Sequence, residues 1–170
     1  MKILRNIIIC LSLVFAASCE TYDDYEIEYS PIYPLSGEWM VRFTDPTVSP
    51  ATSGLIVVST YNTSDNSKTQ MWIRATSTST AVAYTGRFTG KINCNVEGLS
   101  FSGENAVNTY YTNGTTTFTI TGGTIEKDGY ETATGGKSDK ITFTMTDSRK
   151  PGKTFTVTGF RRTRWFEDEI

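Results

Sequence analysis

Cys19 is the residue of this chain whose neighbours point most directly to a chemical modification. It follows a leader that contains Lys2 and Arg5, an apolar run from Ile7 to Ala17, and small residues directly before the cysteine. These are the features of an N-terminal export signal. The apolar run is too short to cross a bilayer as a helix, so we expect residues 1–18 to be removed as a signal peptide. The mature chain would then begin at Cys19.

The segment Phe15-Ala16-Ala17-Ser18-Cys19 resembles a bacterial lipoprotein signal. The resemblance implies diacylglycerol on the Cys19 thiol and an acyl chain such as palmitate on its freed amine. Several chains on one residue anchor a protein stably, because each buried methylene contributes about 0.8 kcal/mol. The alternative is an ordinary secretory leader that is cut nearby. The acidic residues that follow resemble the signal that takes lipoproteins of Bacteroidetes to the cell surface, or else form a solvated tether; they are Glu20, Asp23, Asp24, Glu26 and Glu28.

The rest of the sequence offers no familiar catalytic group. It contains no histidine, which excludes a Ser-His-Asp triad, a Cys-His pair and a histidine-based metal site. Cys94 alternates in phase with Ile92 and Val96, so we predict a small core residue rather than a nucleophile. Ser100 lies in a segment that lacks the glycine spacing of a nucleophile elbow. We therefore predict no catalytic residue, metal or cofactor, and whether the protein is an enzyme stays open.

Length and charge limit the organisation and the partners of the chain. The 170 residues fit one domain after loss of the leader. The formal net charge of −2 becomes more negative once Lys2 and Arg5 are removed, so we expect no nucleic-acid partner. We predict a signal peptide over 1–18, an acidic Tyr/Pro tether over 19–35, one folded domain over 36–165 and an acidic tail over 166–170. The oligomeric state stays open.

The sequence of the folded part predicts β structure throughout. Threonine makes up about one residue in six, and short alternating runs are separated by Gly, Asn, Asp and Ser. Eight such runs favour an all-β fold, an eight-stranded antiparallel up-and-down barrel, because closure removes the exposed strand edges. A two-sheet β-sandwich is the alternative. The inward residues would either fill a core or line a lumen for one small ligand; they are Trp39, Val41, Phe43, Phe88, Ile92, Phe118, Ile120, Phe143, Met145, Phe155 and Val157.

Two short motifs resemble lipocalins. Leu35-Ser36-Gly37-Glu38-Trp39 carries the Gly-x-Trp element that opens their first strand, and residues 159–164 carry arginines at the end of the last strand. In lipocalins such an arginine packs across the tryptophan and closes the barrel. The resemblance implies Arg161 or Arg162 in this role, and we choose Arg162. Together with the leader, the chain resembles the lipocalin-like lipoproteins of Bacteroidetes described as lipid-binding putative hydrolases.

These observations lead to one expected function and two alternatives. We expect a lipoprotein anchored in the outer membrane, on its cell-surface or periplasmic face, whose lipocalin-like barrel binds a small apolar or amphipathic ligand. The first alternative is a glycan-binding or adhesion module, in which the exposed rings of Trp72, Tyr110 and Tyr111 stack on sugars. The second is a hydrolase.

Overall fold

The fold is a closed antiparallel barrel. The structure, a computed structural model, describes residues 26–49, 51–75, 86–112 and 114–169, so Cys19 and the leader lie outside it. Each strand pairs with the next and the last strand pairs with the first. The predicted up-and-down barrel is confirmed, and the two-sheet sandwich is wrong. The strands are β1 Gly37–Thr44, β2 Ile56–Asn62, β3 Gln70–Ala75, β4 Phe88–Asn95, β5 Ser100–Val107, β6 Thr117–Glu131, β7 Lys137–Asp147 and β8 Thr154–Arg161.

Alternating side chains create the two faces of the barrel wall. In β1 the side chains of Trp39, Val41 and Phe43 are fully buried, whereas Arg42 between them is exposed. The same period of two runs through the other strands, because successive side chains in a strand point to opposite faces. The eleven residues predicted to fill a core or line a lumen, from Trp39 to Val157, are all at most 2% exposed.

One strand departs from strict alternation. In β6 both Ile120 and Ile125 are buried. Their numbers differ by an odd value, so a regular strand would place their side chains on opposite faces. The register between β6 and β7 shifts between Thr121 and Thr124, and Gly122 has a φ of 61°. An extra residue in a β-bulge restores the inward phase, and glycine adopts the required left-handed backbone without a steric penalty.

The segments directly before β1 and after β8 pack more closely against the barrel than the sequence predicted. A short 3₁₀ helix, Tyr33–Leu35, precedes β1. Ile32 directly before it and Leu35 at its end are fully buried in the core. A second 3₁₀ helix, Phe166–Asp168, buries Asp168, whose carboxylate accepts hydrogen bonds from the Thr134 backbone N–H at 3.0 Å and the Thr163 hydroxyl at 2.8 Å. The predicted limits of 36 and 165 for the folded domain are therefore too narrow. Within the described ranges, no helix is long and apolar enough to cross a membrane.

Candidate functional site

The barrel interior is packed with rings. Phe43 lies among Phe88, Phe143 and Phe155, with ring centroids 6.4 to 6.5 Å apart and steep angles between the ring planes. This edge-to-face arrangement is the favoured one for aromatic side chains, and it adds to the energy of burial. The predicted inward rows therefore meet one another in the structure.

Interior glycines give space to large neighbours. A Cβ at Gly90 would lie 2.6 Å from the ring of Phe118, and one at Gly103 would lie 2.5 Å from Cγ2 of Ile92. Each side chain thus fills the volume that the missing methyl group leaves. Of the two uses foreseen for the inward residues, the structure shows a packed core.

A tryptophan and an arginine close one end of the barrel. Cζ of Arg161 lies 4.5 Å from the ring centroid of Trp39, and the indole N–H donates to Thr60 Oγ1 at 2.9 Å. Arg161 also donates from Nη1 to the Ser36 carbonyl at 2.5 Å, and its Nε pairs with Asp139 at 3.0 Å. The cation, the ring and the chain before β1 are therefore held together at this end.

The choice of Arg162 as the barrel-closing arginine is wrong. Trp39 and Arg161 lie directly opposite each other on β1 and β8, so their side chains share the inner face. Arg162 lies beyond the strand and pairs instead with Glu169 at 2.8 Å and Glu38 at 3.2 Å. The hydrogen bonds with Glu169, and then those with Glu38, raise the pKa of Arg162 above its ordinary value.

Two clefts on the side of the barrel meet at Cys94 and Asn95. One has a volume of about 420 Å³ and is lined by residues 93–95, 100–102 and 122–124. The other, of about 700 Å³, lies nearer the closed end and is lined by Pro31, Lys68, Thr69 and residues 94–97. Ligand pockets typically enclose about 300 to 1,000 Å³. We call this pair of clefts the flank cleft.

The barrel wall is least regular at the flank cleft. Strands β4 and β5 are joined by three residue pairs, and the register between β5 and β6 shifts on both sides of Gly103. Phe101 lines the smaller cleft, and its ring centroid lies 5.7 Å from that of Phe143 inside the barrel. Phe101 therefore borders both the cleft and the core.

Cys94 contributes an apolar surface to the flank cleft. The residue is 8% exposed, and burial raises the pKa of its thiol above the ordinary value of 9.0. The thiol is therefore protonated at neutral pH and a poor nucleophile. The predicted role of Cys94 as a small core residue is confirmed.

Comparison with known sequences decides the family. The sequence profile of the family described as "lipid-binding putative hydrolase" matches residues 24–166, which covers the whole barrel. The chain belongs to this family. A search of curated proteins found no match.

For a member of the lipid-binding putative hydrolase family, a groove of ligand size is of more interest than the filled interior. The flank cleft could not be predicted from the sequence, because it depends on bulges and on strand ends. The one available signal was the glycine pair Gly122-Gly123, which marks an interruption in a strand pattern. Among the residues that the structure places, no group of three or more His, Cys, Asp or Glu side chains could hold a metal ion.

The predicted sugar-stacking residues of this family member lie in two places. Trp72 points outward from β3, where its ring is nearly parallel to that of Tyr61 on β2, at an angle of 15°. Tyr110 and Tyr111 lie between β5 and β6, with ring centroids 5.1 Å apart. Tyr61 was not among the predicted sugar-stacking residues, although the phase of β2 places it outward.

Proposed function

We propose that this protein is a lipoprotein, held at the outer membrane through acylated Cys19, that binds a small apolar or amphipathic molecule in the flank cleft. Its family and barrel fold support ligand binding. The sequence around Cys19 supports the anchor. The observation that carries the ligand site is a cleft of suitable volume whose lining includes Phe101 and Cys94.

The flank cleft suits an apolar chain better than the interior does. The interior side chains are packed against one another, so a ligand there must displace rings that are stabilised by burial. In the flank cleft, an apolar chain covers Phe101 and Cys94 without such a displacement. The short β4–β5 ladder also gives the wall freedom to widen, because few hydrogen bonds must break.

A substitution that fills the cleft tests its role. Ser102 is an exposed residue of β5 that lines the smaller part of the flank cleft, so Ser102→Trp should block it. Thr146 is an exposed residue lining a separate cleft of about 310 Å³ on β6 to β8, so Thr146→Trp is the matched control. We expect Ser102→Trp to weaken uptake of a fluorescent fatty acid at least tenfold and Thr146→Trp to leave it unchanged. Equal uptake by both variants would contradict the proposed site.

The thiol of Cys94 gives a second measurement on the unmodified protein. A ligand in the flank cleft covers this residue, so saturating fatty acid should slow the alkylation of Cys94 severalfold. Native mass spectrometry of the same samples gives the number of bound molecules. Binding without protection of Cys94 would place the ligand elsewhere.

The anchor and the chemical alternative need their own experiments. Cells fed with labelled palmitate should incorporate the label into the wild-type protein but not into Cys19→Ala.

The family description also suggests hydrolysis as an activity, so esters and glycosides should be tested as substrates of the purified chain. Turnover that disappears with one serine or carboxylate substitution would replace ligand binding by catalysis as the function.

A further inference from the structure

The outer surface of β2, β3 and β4 brings cations and aromatic rings together. Tyr61, Trp72 and Lys91 lie opposite one another on the three strands. The next outward row contains Arg74, opposite Thr89. Arg87 precedes Thr89 by two positions, which places it on the same side of the wall. We call this surface the outer basic face; it consists of Tyr61, Trp72, Arg74, Arg87 and Lys91 together with Tyr110.

The rings and the cations of the outer basic face contact each other. Nζ of Lys91 lies 5.8 Å from the ring centroid of Trp72, and Cζ of Arg87 lies 5.3 Å from that of Tyr110. Arg87 also donates a hydrogen bond to the hydroxyl of Tyr110. These contacts hold flexible charged side chains against flat surfaces, and so lower the entropy that they lose when an anion binds.

The cations of this face are not engaged in ion pairs within the part of the chain that the structure describes. Among the residues that the structure describes, Arg74, Arg87 and Lys91 form no ion pair. The segment 76–85, which connects β3 with β4, contains no acidic residue in its sequence. Seven other described cations do pair with carboxylates: Lys127, Lys140, Arg149, Lys153, Arg161, Arg162 and Arg164. The remaining described cations, Arg42, Lys68, Lys137 and Lys150, form no ion pair with a described residue and lie outside the outer basic face.

Arg87 has spare hydrogen-bonding capacity. Its Nε is buried and has no hydrogen-bond partner. A buried donor without a partner is unfavourable, and an anion that accepts from it removes that cost. Asp65 interacts with this face, because its pKa is lowered by a hydrogen bond with the Thr63 side chain and, more weakly, by the charge of Lys91. The face as a whole is positive on a chain whose net charge is negative.

We propose that the outer basic face binds an acidic polysaccharide, a chain of sugars that carry carboxylate or sulfate groups. Flat apolar faces of sugar rings pack on Trp72 and Tyr61, while the anionic substituents pair with Lys91, Arg74 and Arg87. The two steps along the strands from Lys91 to Arg87 span about 13 Å, which exceeds one sugar ring and favours a polymer. This inference uses a different surface from the flank cleft and does not depend on it.

A single-stranded nucleic acid combines anions with flat rings too, but the structure favours the polysaccharide. Proteins that bind single strands without sequence preference use a positively charged groove that follows the backbone. Here the cations lie on the convex outer wall of a closed barrel, which provides no such groove.

The test compares four polymers on the full mature chain in detergent micelles. Heparin and polygalacturonate are the acidic probes, dextran is the neutral one, and oligothymidine represents nucleic acid. We expect binding of at least one acidic polysaccharide and none of dextran. Because three cations pair with the polymer, log K should fall with log salt with a slope of about 2 to 3.

Two triple variants of equal net charge separate the face from general charge effects. Arg74→Gln/Arg87→Gln/Lys91→Gln should weaken binding at least tenfold and flatten the salt dependence. Lys127→Gln/Lys137→Gln/Lys150→Gln removes three exposed lysines from elsewhere and should leave binding within about twofold. Trp72→Ala should weaken binding while the salt slope is retained. Circular dichroism confirms that each variant is folded.

Three results would overturn the proposal. Equal losses in the two triple variants would show that only general charge matters. Tighter binding of oligothymidine than of either acidic polysaccharide would assign the face to nucleic acid. No binding of any acidic polymer by the folded chain would leave the face without this role, whatever the flank cleft binds.

Discussion

Removing the Arg161 side-chain charge should destabilise the barrel far more than the same change at Arg162. Arg161→Met keeps the apolar stem but loses the cation over Trp39 and the hydrogen bond to the Ser36 carbonyl. A cation over an indole contributes about 0.5 to 2 kcal/mol, and a hydrogen bond from a charged donor about 1.5 to 3 kcal/mol. The Arg161 side chain is 30% exposed, so solvent screening lowers both values. We expect a loss of about 2 to 4 kcal/mol in the free energy of unfolding.

The neighbouring arginine is the matched control. Arg162 makes partly exposed ion pairs with Glu38 and Glu169, and such pairs contribute about 0.2 to 1 kcal/mol each. Arg162→Met should therefore cost about 1 kcal/mol. Asp139 keeps Lys127 as a partner in Arg161→Met, so no carboxylate is left without a cation. Urea unfolding followed by circular dichroism measures both values, and equal losses would refute the role assigned to Arg161.

Three further predictions concern the core and the pH dependence. Gly90→Ala should lower the free energy of unfolding by about 1 to 3 kcal/mol through overpacking, because the added Cβ would meet the Phe118 ring and the Val107 carbonyl. Gly136→Ala should be nearly neutral in the same urea assay, because the atom nearest to its Cβ is 3.4 Å away. Trp39→Phe combined with Arg161→Met should show a coupling energy of about 0.5 to 2 kcal/mol in a double-mutant cycle, since the two side chains contact each other, and additive losses would contradict that contact. Burial raises the pKa of Asp168, but hydrogen bonds from Thr163 and Thr134 outweigh it and lower this pKa below the ordinary 3.8. The stability that Asp168 contributes is thus present above pH 3.8 and lost as the pH falls through the lowered pKa, so Asp168→Asn should flatten the acid limb of a stability profile measured between pH 5 and 2.

The strands could be predicted from the sequence more accurately than the segments that flank the barrel or the irregular positions within the strands. The alternation of apolar and polar residues placed Trp39, Val41 and Phe43 on one face, because a period of two is a direct property of extended backbone. The Gly-x-Trp element at residues 37–39 also lies at the start of β1, as the resemblance implied. Burial of Ile32 could not be predicted, because the flanking prolines and acids suggested an extended tether and only tertiary packing shows what covers the end of the barrel.

Neither the barrel-closing arginine nor the flank cleft was predicted correctly from the sequence, and the reasons differ. The phase of Val157 and Gly159, continued by two positions, leads to Arg161, so the information was present but depended on β8 running on without a bulge. The flank cleft arises where β5 and β6 shift register, and a bulge is set by the pairing of two distant segments. Such features depend on partners that a single strand pattern does not contain.

Pairing of the first strand with the last has a consequence for how the molecule faces its surroundings. Because β1 starts and β8 finishes at one rim, the polypeptide enters and leaves the barrel on the same side. A tether attached at the N-terminus therefore holds this rim toward whatever it is fixed to. The connections that join β1 to β2, β5 to β6 and β7 to β8 all lie at the far rim and point away from the point of attachment. A reporter fused to the C-terminus would thus sit beside the tether, and insertions in those three connections are the way to display a tag outward.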